Sequence, residues 1–156
     1  MKRTLSALAI MAITVISQSS ALAAGVPIGA KFDRIQIVKG WLDAGGNLQE
    51  EVDVVVWSGD RQAGADGKVL LVGNTIDIEN ATLKNMIGTP ELITAWTDPA
   101  FGVTQNAFYC ARVIEIPTPR WSVYDAKRFG MELLGGAATT VTGRAYTSPL
   151  WYLPAS

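Results

Sequence analysis

Two carboxylates and a short basic-aromatic run are the parts of this sequence best able to do chemistry. Glu115 lies near the end of an apolar stretch and Asp125 follows it, and two carboxylates facing each other across a cleft can serve as acid and base in a hydrolysis. Acidic pairs at arbitrary spacing are common, however, and in the plainer reading Glu115 pairs with Arg112, Arg120 or Arg144 while Asp125 caps or braces its loop. Arg120, Trp121, Tyr124, Asp125, Lys127 and Arg128 mix aromatic and charged groups, which suits contact with an anionic ligand or a partner domain. The same aromatic residues would serve equally well as a lid over the core.

Much chemistry is excluded outright. The chain has no histidine, which removes Ser-His-Asp and Cys-His arrangements, a histidine general base and any His-built zinc or iron site. Cys110 is the single cysteine, so neither a thiolate zinc site nor an intrachain disulfide can form. Its apolar surroundings make it a small packed residue rather than a reactive thiol. Asp60 and Asp66 are too few and too far apart for a calcium loop. No catalytic residue, metal site or cofactor is assigned. Nucleic acid is an unsuitable partner because no Lys/Arg run exists.

Strands must position these residues. Residues 106–116 form an apolar-aromatic run that predicts a central strand, stopped by Pro117-Thr118-Pro119. From Phe32 the pattern has period two, with Ile35, Ile37, Lys39 and Trp41 on one face. Residues 43–47, with paired glycines, predict a tight turn into a return strand over 48–57. Shorter strands are expected around 70–72, 75–78, 83–87 and 92–96, and residues 98–102 read as a turn. Residues 123–129 suit one or two helical turns, with Ser122 as cap and Gly130 as stop. Residues 135–140 read as a loop, and 144–153 as a closing aromatic strand in which Pro149 requires an edge or a bulge. Many short strands with little helical periodicity predict an all-β fold, an immunoglobulin-like antiparallel β-sandwich with a short helical turn near 123–129.

The first 23 residues read as an export signal. Met1-Lys2-Arg3 is basic, residues 5–16 are apolar but too short to span a bilayer, and Ala21-Leu22-Ala23 suits signal peptidase. Cleavage there leaves 156 minus 23, or 133 residues, enough for one domain over 32–156 after a junction at 24–31. Removing Lys2 and Arg3 leaves 11 basic against 14 acidic residues, a net charge of −3. The expected product is periplasmic or secreted, with no membrane contact after cleavage.

Five segments in order carry a resemblance: 33–41 (Asp33-Arg34-Ile35 to Trp41), 56–61, 108–121, 124–129 and 144–152. Together they resemble the C-terminal part of the domain of unknown function 3604 family, exported bacterial proteins several times longer than this chain. The resemblance implies a relation to the polymerase and histidinol phosphatase class of metal-dependent hydrolases, in which an N-terminal barrel holds a His/Asp/Glu metal centre and the C-terminal part is a β-rich appendage. None of that centre's ligands has a counterpart here. The resemblance therefore implies a non-catalytic appendage, an interaction module or a truncated product, whose partner is a catalytic domain or a second copy joined through an exposed sheet edge. The alternatives are a stand-alone hydrolase using carboxylates or a divalent metal, and a small-ligand binding module.

Overall fold

The computed structural model describes residues 10–16 and 29–154. Along the chain run β1 (Ile10–Ile16), β2 (Phe32–Leu42), β3 (Leu48–Trp57), β4 (Ile76–Asp77), β5 (Thr82–Leu83), β6 (Glu91–Thr97), β7 (Ala107–Pro119), α1 (Trp121–Phe129), β8 (Thr140–Tyr146) and β9 (Leu150–Tyr152). The fold is mostly β, with one short helix and antiparallel sheets that do not close into a barrel. The leader expected over residues 1–23 and its cleavage point lie outside the described residues, apart from the backbone of β1.

The predicted hairpin begins the main sheet. In its turn the Asp43 carboxylate accepts the N–H groups of Gly45 and Asn47, each at 2.9 Å, and Gly46 supplies a φ of +77°. The main sheet has the order β3-β2-β7-β8, with β9 also paired to β7. Its period-two face is the core: Ile35 and Ile37 of β2 meet Tyr109, Ala111 and Val113 of β7. Strand β6 lies outside this sheet, pairs with β1, and contributes Leu92 to the same core. Ile35, Ile37, Ile116 and Val123 are fully buried, each burial stabilising the fold by about 1.5–3 kcal/mol. On the other side of β2, Gly40 lies opposite Phe108, and a Cβ at position 40 would overlap the phenyl ring.

Three boundaries differ from the sequence expectation. Strand β7 runs on through Pro117 and Pro119 instead of stopping before them. Its ladder with β2 ends at Glu115, a bulge separates Ile114 from Pro117, and beyond it the strand pairs with β8 alone. Prolines, which lack an N–H, fit a strand that no longer serves two neighbours. The closing strand is two strands, β8 and β9, separated at residues 147–149, where Thr147 exchanges hydrogen bonds with Ala111. The helix begins at Trp121, with Arg120 rather than Ser122 in the N-cap position. Ser122 lies inside the first turn, where its hydroxyl is buried with no partner among the described residues. Gly130 does end the helix, in the left-handed conformation at φ 64°. Residues 70–72 form no strand, and Leu70 and Leu71 are exposed.

Candidate functional site

All six residues of the basic-aromatic run fall on α1 or its N-cap, and all six are exposed. One residue anchors the helix. Val123 is buried on the side towards Ile78, where a cavity of about 410 Å³ also touches Ala126 and Met131. The large side chains at the two ends of the helix and just beyond it turn outward: Trp121 is 67% exposed, Phe129 64% and Met131 65%. Trp121, Asp125 and Phe129 line a second cavity, of about 350 Å³, together with Leu133 and Leu134. Lys127 reaches Asn80 Oδ1 at 3.4 Å, and the Arg128 guanidinium lies 5.7 Å from the Phe129 ring. Lys127 and Arg128 occupy the last turn, where positive charge suits the helix dipole. Among the described residues Asp125 has no ion-pair partner, so it neither caps nor braces the loop by a charged contact.

Glu115 and Asp125 do not meet across one cleft. Glu115 lines a different cavity, of about 330 Å³, with Asn74, Thr140 and Thr142. The expected partners also fail to reach it: Arg112 instead donates to Gln36 Oε1 at 2.9 Å, and among the described residues Glu115 has no ion pair. Burial pushes the Glu115 carboxyl above its ordinary value. Cys110 is half-buried, with its thiol 3.2 Å from the Thr147 carbonyl. Asp66 accepts the backbone N–H of Lys68, which spends the side chain on its own turn. Among the described residues no group of three or more Asp, Glu or Cys side chains is placed to hold a metal ion. No helix there is long and apolar enough to cross a membrane.

The structure also contains a charged cluster that the sequence reading passed over. Lys39, on the apolar face of β2, is buried, and its Nζ lies 2.6 Å from Asp98 Oδ2 and donates to the Ala100 carbonyl at 3.0 Å. Tyr109, opposite Lys39 on β7, donates to the same Asp98 oxygen at 2.7 Å. Burial pushes the Asp98 carboxyl up, but hydrogen bonds from Lys39, Tyr109 and the Ala100 N–H outweigh it and hold the group below its ordinary value. Burial and the Asp98 carboxylate together push the Tyr109 phenol well above its usual range. Asp53 is raised, by burial and by the nearby Asp98 charge. A lysine in register with Ile35, Ile37 and Trp41 was itself a signal, because an inward-facing charge requires a partner.

A second cluster pins the loop after β3. Asp33 holds Arg34 at 3.0 Å and Arg61 at 2.7 Å, and these arginines donate to the carbonyls of Val69 and Leu70. The loop is therefore clamped to the start of β2 by its backbone, which composition alone did not reveal.

A family model described as Protein of unknown function (DUF3604) matches residues 16–154. No curated protein and no solved structure matches the chain.

Proposed function

From the premise that the chain belongs to the DUF3604 family, we propose that it is an exported, non-catalytic interaction module that docks on a partner domain through the exposed face of α1. One observation carries this reading: Trp121, Phe129, Met131 and Leu134 are each more than half exposed and sit among Arg120, Lys127 and Arg128 on one short segment. A cluster of large apolar groups within a charged rim has the composition of a protein contact, in which a few aromatic and arginine residues supply most of the affinity. The resemblance to hydrolase appendages makes a catalytic domain the natural occupant. The basic N-terminus, apolar run and Ala21-Leu22-Ala23 support export, and the packing of β6 over the main sheet supports a sandwich of immunoglobulin type. The separation of Glu115 from Asp125 weighs against a carboxylate-pair hydrolase.

A photo-crosslinking residue placed at position 121 or 129 tests the proposal in the native host. It should yield one discrete adduct, identifiable by mass, that is absent with the same residue at the exposed position 70. Trp151, 69% exposed, lies on a second apolar patch beside a cavity of about 340 Å³ shared with Leu48, Phe108 and Leu153. Adducts at 151 but not at 121 or 129 would move the docking face there. No discrete adduct at any of these positions would sink the proposal.

A further inference from the structure

Strand β6 is held in the fold by one face and one edge. Leu92 is buried in the core, the Trp96 ring lies 6.1 Å from that of Tyr109, and Thr94 Oγ1 is 3.5 Å from the Val55 carbonyl. The edge carries β1 in antiparallel register, from Ile10 opposite Thr97 to Ile16 opposite Glu91. Among the described residues no other strand pairs with β6, because β1 and β6 form a sheet of two. A strand with one buried face leaves costly unpaired backbone groups when its ladder is removed.

The two strands have different standing in the sequence. The family match, residues 16–154, contains the whole of β6 but only the last residue of β1. The acceptor therefore belongs to the family domain, and most of the strand seated on it does not. Residues 10–16 also fall within the apolar run of the expected leader, residues 5–16, so the inference rests on the export reading above wherever it concerns the shortened product. The outer edge of β3 is a poorer acceptor, because Gln49, Glu50 and Glu51 are exposed along it and place like charges beside an incoming strand. On β6, Ile93, Ala95 and Thr97 alternate outward, and Glu91 is the strand's single charge.

We propose that the edge of β6 is a strand-acceptor site whose ligand is an extended apolar segment of another polypeptide, bound antiparallel in the register that Ile10–Ile16 occupies. That register sets ligand positions equivalent to 11, 13 and 15 opposite Trp96, Thr94 and Leu92. Opposed residues share a sheet face, so charges at those alternate ligand positions are directed at the core and are refused. In the precursor the chain's own N-terminal segment fills the site, and its removal opens the edge to the foreign strand.

Hydrogen exchange at the amides of residues 91–97 reads occupancy. In the full chain, Ile13→Pro breaks the donor strand without altering the acceptor, and exchange there should rise about tenfold or more while β2 and β7 stay unchanged. A synthetic peptide with the sequence of residues 9–17 should restore protection, and the same peptide with aspartate at positions 11, 13 and 15 should not. Unchanged exchange in Ile13→Pro, or no recovery with the peptide, overturns the proposal. The exported protein recovered from its host is measured alongside, its mass giving the cleavage point. If shortened, it should exchange freely at 91–97 until the peptide is added. A shortened product protected there with no second polypeptide in its mass in solution, or with only a second copy of this chain, overturns the foreign-strand ligand. A product that keeps residues 1–23 overturns the export reading and, with it, the opening of the edge to a foreign strand, whereas the Ile13→Pro arm tests the acceptor independently of export.

Discussion

Around Lys39 the charged groups lie inside, whereas around Trp121 the apolar groups lie outside, and the two regions solve their burial problems differently. At Lys39 the ammonium, the Asp98 carboxylate and the Tyr109 hydroxyl satisfy one another within hydrogen-bond distance, so desolvation is offset locally. On α1 only Val123 is deeply buried, and the larger side chains have no such internal solution. A closed cluster satisfies itself; an open one leaves its apolar surface free for contact. The inward lysine therefore belongs to stability, and the outward tryptophan is where the proposed docking would act.

The largest effect should come from opening the closed cluster. Asp98→Asn leaves Lys39 buried without its counter-charge, and urea unfolding at neutral pH should show a loss of about 3–5 kcal/mol. The pH dependence has a definite sign: because the folded-state value of Asp98 is depressed, its contribution is present above the ordinary 3.8 and is lost as pH falls through the folded value. A loss from Asp98→Asn no larger than that of an ordinary surface substitution would break the contrast between the two regions. Tyr109→Phe removes one hydrogen bond to a charged acceptor and should cost about 1.5–3 kcal/mol in the same assay.

Smaller effects sharpen the other side. The Glu115 carboxyl is raised by burial, so the folded chain holds that proton more tightly than the unfolded one does. The contribution of that protonated form is full below the ordinary 4.5 and lost as pH rises through the raised value. Glu115→Gln should therefore stabilise the chain modestly at neutral pH and leave it unchanged in acid, as thermal melts at the two pH values would show. Smallest of all, Trp121→Ser should change unfolding stability by no more than about 0.5 kcal/mol. A loss of several times that would make Trp121 a lid over the core and end its role as a docking residue.

The hairpin was legible because three local signals agreed: alternation in β2, paired glycines in the turn and β-branched residues in β3. The central strand was legible as well, but its end was not, since whether Pro117 terminates a strand depends on how many neighbours the strand has at that point. Composition does not encode neighbour count. The six candidate surface residues emerged together and exposed because one helix carries them, though Arg120, not Ser122, took the N-cap position. The Lys39 cluster joins Lys39 to Asp98 and Tyr109, about sixty to seventy positions away, and the part of it visible in advance was the misplaced charge. The partner Asp98 was hidden in a segment that read only as a turn.

Gly40 and Phe108 carry a consequence for how this sequence can change over time. The phenyl ring occupies the space that a side chain at position 40 would need. A mutation that adds even a methyl group there requires the Phe108 ring to move, and shrinking Phe108 uncovers the glycine. The two positions are thus coupled: the side chain tolerated at position 40 depends on where the ring at 108 can go.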